Sequence, residues 1–399
     1  MSTVTPASNE GHRLAIVLSH PVQYYSPWFR WMRAHTDLDF RVFYLDESGV
    51  RPSTDEKFQT TFAWDVDLTS GYACEFVPNE AARPDTLRFG GLHNPELGTR
   101  LDRYAPDVVL LFGYKYRTHL RLILRSRLRR VPLIFRGDSH LIGRSRLPLV
   151  TRVALRVLYR QFTACTCVGR ANRDYFLRCG VDPRRLFLAP HAVDATRFDP
   201  EVVSADATRR QREELGIPAG HRVLLFSGKW IEQKQPVALL RAFLEARRPP
   251  STLVIAGDGP ECSALRALAQ GSPDVRFLGF ANQQEMPLRY TLADVFALPS
   301  QGSYETWGLA VNEAMQMGVP CLVSTHVGCQ PDLVTPGETG WVFRAGDPGA
   351  LRSAVEEALA APGSKVRQMG VASRERISHY SYARATEGLR AALAFSVPR

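Results

Sequence analysis

The sequence predicts an α/β protein with two domains, each built on a parallel sheet that helices cover on both faces. Three observations support this prediction. The chain has 399 residues, which exceeds one ordinary core and favours two domains. Short apolar runs alternate with amphipathic helical stretches along its whole length. Strands that are apolar at nearly every position are typical of parallel sheets buried on both faces.

The first half of the chain contains six apolar runs of strand length. They predict strands at residues 14–18, 40–45, 108–112, 133–135, 164–168 and 186–189. Between them, apolar residues recur every three or four positions and predict helices at 27–34, 118–130, 149–162 and 171–179. We therefore expect a first domain over residues 1–200.

The second half repeats this alternation. Strands are predicted at 222–227, 252–256, 275–278, 295–298 and 320–324, and helices at 235–246, 264–270, 286–292 and 308–317. Residues 201–221 are polar and end in Gly216-Ile-Pro-Ala-Gly220, which favours a linker into a second domain over residues 201–375. Residues 376–399 are predicted to form a C-terminal helix that packs back on the first domain.

Composition narrows the class of protein. The seven cysteines are scattered without a Cys-x2-Cys pair, so we interpret them as reduced core residues and expect no metal site. No apolar run approaches the ~20 residues of a membrane-spanning helix. We therefore expect a cytoplasmic protein that could lie peripherally at the inner face of the cell membrane.

Positive charge is concentrated in the first half. Residues 115–160 carry 13 basic residues and one acidic residue. Many of the basic residues follow helical spacing within Arg117–Arg130 and Arg152–Arg160, among them Arg117, Arg121, Arg125, Arg129, Arg152, Arg156 and Arg160. One interpretation is a solvated helix face, and another is a patch for an anionic membrane surface. Nucleic acid is not expected as a partner, because no recognition module accompanies the charge.

Several predicted strands of the second domain end in turns suited to a ligand. Gly228, Lys229 and Lys234 follow the first of them, and lysine is a compact point charge suited to diphosphate oxygens. Gly257 and Gly259 follow the next strand and would let a ligand approach the backbone. These turns are common, so their order along the chain matters more than any one of them.

The segment from Pro299 to Glu313 carries the strongest signal. Glu305 and Glu313 flank a glycine-bearing turn at the predicted start of a helix. The start of a helix after a strand favours anionic ligands, and two carboxylates there can hold hydroxyl groups. Phosphate together with sugar hydroxyls describes a sugar nucleotide.

This succession of motifs resembles the retaining glycosyltransferases of family 4, which have two Rossmann-like domains in the GT-B architecture. The resemblance implies that Glu313 holds the nucleotide ribose and Glu305 the transferred sugar. It also implies that the backbone at Gly308 and Leu309 meets the diphosphate together with Lys229 and Lys234. The complete implied donor site comprises Gly228, Lys229, Lys234, Gly257, Gly259, Phe280, Glu305, Thr306, Gly308, Leu309 and Glu313.

The first domain matches the family less closely. The loop after its first strand carries His20, Gln23, Tyr24 and Tyr25, which we expect to bind the acceptor. Either Asp138 or His140 is the counterpart of a histidine that the family uses, although this segment could instead be a polar turn in which Asp138 caps a helix. Residues 188–198 resemble the family's hinge segment, except that His191-Ala192 replaces the usual Asn-Gly.

We therefore expect a retaining transferase that uses a UDP- or GDP-sugar, without a cofactor or metal. Its catalytic residues would be Glu305, Lys234, Lys229 and Asp138 or His140. The acceptor would be a glycan or lipid-linked molecule of cell-envelope polysaccharide, lipopolysaccharide or glycolipid synthesis. The alternatives are a sugar-nucleotide epimerase of the same fold and a non-catalytic basic protein that binds membrane or nucleic acid.

Overall fold

Two parallel sheets form the cores of two α/β domains, which confirms the predicted fold class. The computed structural model describes residues 11–55, 60–144 and 146–397. Residues 1–10, which the predicted first domain includes, and residues 398–399, which the predicted C-terminal helix includes, lie outside the described residues.

The first domain contains seven parallel strands and a separate antiparallel pair. The strands are β1 (Arg13–Leu18), β2 (Asp39–Tyr44), β3 (Ser53–Asp55), β4 (Thr60–Phe62), β5 (Cys74–Phe76), β6 (Val108–Phe112), β7 (Leu133–Arg136), β8 (Ala164–Cys167) and β9 (Leu186–Leu188). The sheet has the order β5-β2-β1-β6-β7-β8-β9, and β3 pairs with β4. In the register of β1, Leu14 lies beside Phe40 of β2 and Val108 of β6.

Helices of the first domain cover this sheet on both faces. They are α1 (Ser26–His35), α2 (Leu97–Tyr104), α3 (Arg117–Arg129), α4 (Leu149–Tyr159) and α5 (Arg170–Arg178). Leu101, Leu122, Tyr159 and Phe176, from α2 to α5, share one core on one face of the sheet. Trp28 and Phe29 of α1 pack on the other face.

The second domain has a six-stranded parallel sheet of order β12-β11-β10-β13-β14-β15. Its strands are β10 (Arg222–Ser227), β11 (Ser251–Ala256), β12 (Val275–Leu278), β13 (Val295–Leu298), β14 (Cys321–Ser324) and β15 (Gly340–Phe343). Its helices are α6 (Ala205–Glu214), α7 (Pro236–Glu245), α8 (Cys262–Leu268), α9 (Met286–Thr291), α10 (Leu309–Gln316), α11 (Gln330–Leu333), α12 (Pro348–Ala360) and α13 (Gly363–Ser378). Strand order reverses between β10 and β13, and ligands of such sheets bind at this switch point.

The last helix, α14 (Tyr382–Ser396), packs on the first sheet. It begins six residues later than the sequence predicted, because α13 ends at Ser378 and Ser381 caps a new helix by accepting a hydrogen bond from the Arg384 N–H. The indole N–H of Trp28 in α1 donates to the Thr386 hydroxyl at 2.9 Å. The chain therefore crosses back to the domain in which it began.

The strands predicted from apolar runs all occur, with ends that agree or differ by one residue. The edge strands β5 and β15 and the β3–β4 pair were not predicted. Each of these has only three or four residues, and β5 carries a glutamate, so none produces a long apolar run.

We predict that Gly388→Ala destabilises the protein. A Cβ at Gly388 would lie 1.9 Å from the Leu188 carbonyl oxygen, so α14 would have to move away from β9. Overpacking of this kind costs about 1–3 kcal/mol of unfolding free energy. The matched control is Gly363→Ala in the first turn of α13, where the new Cβ meets only the side-chain tips of Arg367 at 3.4 Å and Arg222 at 4.0 Å. Thermal unfolding should show a lower Tm for Gly388→Ala alone, and an unchanged Tm would contradict the tight packing of α14.

Candidate functional site

A cavity of about 440 Å³ lies between the two domains, at the carboxyl ends of their central strands. Loops after β10, β11 and β13 meet there with loops after β1 and β7. Its wall includes most of the predicted site: Gln23, Tyr24, Tyr25, Asp138, Gly228, Lys229, Lys234, Gly257, Phe280, Glu305, Thr306, Gly308, Leu309 and Glu313. The two sheets thus bring together residues that are distant in sequence.

Glu305 is paired with Lys234 inside this cavity. The Lys234 ammonium donates to Glu305 Oε2 at 2.8 Å, and the Ser300 hydroxyl donates to the same oxygen at 3.1 Å. Both charged side chains are only 14% exposed. An ammonium has three donors, so Lys234 can hold Glu305 and still offer N–H groups to an anion.

Glu313 is a buried carboxyl group held from both domains. Tyr24 of the first domain donates to its Oε1 at 3.0 Å, and Tyr290 of the second donates to its Oε2 at 2.7 Å. Burial raises the pKa of Glu313 to about 7, although the two hydroxyl donors and the positive charges of Arg197 and Lys234 oppose that shift. A group with this pKa changes its charge near neutral pH.

Helix α10 starts at the cavity wall. Its cap residue, Gly308, has a φ of +101°, and a Cβ there would lie 2.9 Å from Val327 Cγ1. Glycine is therefore required both by the left-handed backbone and by the close packing. Leu309 and Ala310 line the cavity, and the first N–H groups of a helix lack intrahelical acceptors. This end of α10 is suited to a negatively charged group.

Asp138 extends from the first domain to the second. Its Oδ2 accepts a hydrogen bond from the Thr306 hydroxyl at 2.8 Å and lies 3.7 Å from His191 Nε2. Desolvation in the cleft would raise the pKa of Asp138, but the contacts with His191 and Thr306 outweigh it and lower that pKa. Burial lowers the pKa of His191 despite the neighbouring carboxylate, so a carboxylate beside a neutral imidazole is favoured at neutral pH.

His140 lies behind this wall, buried, and does not line the cavity. Its Nδ1 accepts the Ile142 N–H at 3.1 Å, so Nε2 carries the proton and donates to the Glu305 carbonyl at 3.1 Å. Of the two first-domain alternatives, Asp138 faces the cavity and His140 braces the backbone of Glu305 from the opposite domain.

Three other predicted site residues, His20, Gly259 and Tyr24, have positions or contacts that differ from the prediction. His20 and Gly259 are not part of the cavity wall, and His20 Nδ1 instead lies 2.9 Å from the Ser19 hydroxyl. Tyr24, which was predicted to bind the acceptor, contacts the carboxylate that was predicted to hold the donor. The loop after β1 therefore lies next to the predicted donor-binding part of the cavity as well as the predicted acceptor-binding part.

The cavity also contains residues that the sequence analysis did not assign to it. They include Trp64, His191, Ser227, Gln283, Met286, Tyr290 and Trp307. The sequence offered an indication for His191, because His191-Ala192 replaces the usual Asn-Gly in the segment that resembles the family's hinge. It offered none for Tyr290, since a tyrosine in a short helix is an ordinary core residue and its hydrogen bond to Glu313 depends on the fold.

The described residues contain neither a grouped metal-ligand set nor a helix suited to span a membrane. Within residues 11–55, 60–144 and 146–397, no three His, Cys, Asp or Glu side chains are grouped so that they could hold a metal ion. In the same ranges, no helix combines the length and the apolar character that crossing a bilayer requires.

Comparison with protein families gives a match in the second half of the chain. The family model described as Glycosyl transferases group 1 matches residues 207–380. This range contains Lys229, Lys234, Glu305 and Glu313 together with the start of α10. The match therefore covers the whole second-domain wall of the cavity.

Two curated relatives align with part of the chain. A GDP-mannose-dependent alpha-(1-6)-phosphatidylinositol monomannoside mannosyltransferase of Mycolicibacterium smegmatis is 34% identical over 247 residues, which cover 59% of this chain and 63% of that protein. A D-inositol 3-phosphate glycosyltransferase of Corynebacterium diphtheriae is 35% identical over 194 residues, which cover 46% of this chain and 44% of that protein. The chain thus matches less than two thirds of either relative's length.

A solved structure matches the complete fold. The Anabaena protein HepE in complex with UDP and glucose superposes with a TM-score of 0.71 over 96% of this chain and 100% of that chain, at 15% identity. This likeness shows the shared architecture of two parallel-sheet domains. The protein has the GT-B architecture, and its residues 207–380 match the family model described as Glycosyl transferases group 1.

Proposed function

We propose that this protein is a retaining glycosyltransferase of family 4 that moves a sugar from a nucleotide diphosphate to a phosphorylated polyol or glycolipid. The observation that carries the proposal is the grouping of Glu313, Glu305 and Lys234 around the start of α10 in one interdomain cavity. Cations and helix amides suit a diphosphate, and carboxylates suit sugar hydroxyls.

The donor would lie along the second-domain wall. The ribose hydroxyls would donate to Glu313 and take over the hydrogen bond that Tyr24 now makes. The diphosphate would contact Lys229, Lys234 and the first amides of α10. As the glycosidic bond breaks, negative charge grows on the leaving phosphate, and donors already fixed in place stabilise that charge most effectively. The leaving phosphate oxygen would accept the acceptor's proton.

Glu305 and Asp138 would meet the transferred sugar from opposite sides. Glu305 is held by Lys234 and Ser300, and Asp138 by Thr306, so neither carboxylate is free to move away. Contacts such as Thr306 to Asp138 join the domains and limit access of water to the reacting atoms. A fixed, negatively charged environment is suited to a transition state with positive charge on the sugar.

The donor and acceptor classes come from the curated relatives. The relative from Mycolicibacterium smegmatis is named for GDP-mannose and for a phosphatidylinositol mannoside. The relative from Corynebacterium diphtheriae is named for inositol 3-phosphate. We therefore propose GDP-mannose as the first donor to test and a phosphoinositol compound as the first acceptor.

The first prediction for this function concerns turnover. Incubation with GDP-mannose and phosphatidylinositol should release GDP and give a product whose sugar keeps the α configuration, measured by NMR. Glu305→Gln should lower kcat about 100-fold, because the fixed charge at the sugar is lost. Glu214→Gln, an exposed residue of α6, is the matched control. An epimerised nucleotide sugar formed without acceptor, or no turnover with any GDP- or UDP-sugar, would contradict the proposal.

The second prediction concerns pH. The pKa of Glu313 is about 7, and its ionised form accepts ribose hydroxyls best, so GDP should bind more tightly as pH rises. The Kd should fall about tenfold between pH 6 and pH 8 if only the carboxylate binds. Calorimetry with the 2′,3′-dideoxy analogue controls for titration of the phosphates. The same pH dependence for both nucleotides, or for Glu313→Gln, would contradict the role of Glu313.

A membrane-facing role is proposed for α3 and α4. These neighbouring helices share a core through Leu122 and Leu155, and Arg127 of α3 contacts Gln161 at the end of α4 at 3.3 Å. Their outer surface exposes Leu120, Leu124, Leu128, Leu149, Val150, Val153 and Val157 among the arginines. Because Arg125 and Arg129 both lie beside Asp102, we infer the membrane-facing role mainly from the exposed apolar residues and less from the arginines. Such a surface is suited to a bilayer interface.

We predict that Leu128→Ser/Val150→Ser weakens sedimentation with anionic vesicles about tenfold or more, because two exposed apolar side chains are lost. Leu128 is 74% exposed and Val150 81%, so the fold should tolerate the change. The matched control is Val202→Ser/Val371→Ser, whose residues are 58% and 69% exposed elsewhere on the surface. Equal sedimentation of both variants would show that the α3–α4 surface is only a solvated face.

A further inference from the structure

A second large cavity lies outside the cleft, between β7 and α4 along the chain, where residues 141–144, 146 and 147 are found. Its volume is about 680 Å³. Five arginines and one carboxylate, Asp174, contribute to its wall; the arginines are Arg144, Arg146, Arg152, Arg170 and Arg178. We call it the arginine cavity. It shares no residue with the cavity that contains Glu305 and Glu313.

The positive charge of the arginine cavity is poorly compensated. Arg170 is held by Asp332, which accepts its backbone N–H at 3.0 Å and lies 3.9 Å from its side-chain Nε. For the other four arginines, the described residues offer no carboxylate within 4 Å. Guanidinium groups repel one another when they are grouped, so this arrangement favours an anion between them.

The arginine cavity adjoins the interdomain site. The N–H of Ile142, on its wall, donates to His140, which holds the Glu305 carbonyl. Gly143 packs so closely on Gly302 that a Cβ would lie 2.8 Å from the Gly302 carbonyl oxygen. Pro331 of the second domain also lines the cavity. A ligand bound here would therefore lie beside the junction of the two domains.

Part of the wall is apolar. Leu141, Ile142 and Leu147 line the cavity, and Arg152 belongs to α4, whose Leu149, Val150 and Val153 are exposed. A molecule with a charged head and an apolar body would satisfy both kinds of surface. A simple metal cation is disfavoured by five guanidinium groups.

We propose that the arginine cavity binds a phosphate ester and that this is the phosphate carried by the acceptor. The assignment to the acceptor rests on the proposed function, whereas the phosphate chemistry rests on the arginines alone. Guanidinium groups contact phosphate oxygens through paired N–H donors, which gives both strength and orientation. Bound there, the phosphate fixes the head group next to the loop of Asp138 and His140.

The test compares Arg146→Gln/Arg178→Gln with the matched control Arg352→Gln/Arg367→Gln, two exposed arginines of α12 and α13. The soluble probes are inorganic phosphate and glycerol 3-phosphate, titrated by ³¹P NMR. The lipid probes are phosphatidylinositol vesicles, with vesicles of phosphatidylcholine, whose choline cation neutralises its phosphate, as the reference without net charge. Binding of inorganic phosphate, glycerol 3-phosphate and phosphatidylinositol should weaken about tenfold or more in the cavity variant and stay unchanged in the control.

The outcomes separate the possible sources of the phosphate. A loss for glycerol 3-phosphate and for phosphatidylinositol supports a site for any phosphate ester, and a loss for the vesicles alone supports a lipid head group. Equal binding by the cavity variant and the control overturns the proposal, as does a wild type that binds neither class of probe.

Nucleotide binding and turnover, measured in the same variants, report on the proposed function separately. A higher KM for the phosphorylated acceptor with an unchanged kcat and unchanged GDP affinity supports the acceptor assignment. If the cavity variant loses phosphate binding but the wild-type protein transfers no sugar, the phosphate site stands and its assignment to the acceptor is overturned.

Discussion

The Glu313 carboxyl group is enclosed between two domains, and the arrangement of the cleft depends on how it is held. A buried carboxylate without partners is costly, so its position requires donors that are fixed before any ligand arrives. Tyr290 supplies one from its own domain and Tyr24 supplies the other across the cleft. The domains are thereby joined at the same group that is proposed to hold the ribose. Opening of the cleft would remove the donor that Tyr24 supplies.

The segment between β13 and α10 makes further contacts across the cleft. Its Glu305 carbonyl is held by His140 and its Thr306 hydroxyl by Asp138, and Asn312 in the first turn of α10 donates to the His191 carbonyl at 3.1 Å. Gly328 also packs on Thr306, where a Cβ would lie 1.9 Å from the Thr306 carbonyl oxygen. The segment therefore has little freedom, which keeps Glu305 and the start of α10 in a fixed relation.

Sequence reasoning went furthest where a function depends on neighbours along the chain. Gly308 between two glutamates, after an apolar strand, signals a helix start with carboxylates, and the structure has that start at Leu309. Prediction from the sequence was weaker where the position of a residue depends on how the folded chain packs. Tyr290, the partner of Glu313, lies in an ordinary short helix, and only the fold shows that the Tyr24 hydroxyl is directed to Glu313. The choice between Asp138 and His140 likewise required the orientation of two side chains two residues apart.

The most direct measurement is a crystal structure with GDP bound. We expect ribose hydroxyls within hydrogen-bonding distance of Glu313, the diphosphate against Lys229, Lys234 and the first amides of α10, and the Tyr24 hydroxyl displaced from Glu313. GDP bound away from Glu313, or with its diphosphate directed away from α10, would contradict this expectation.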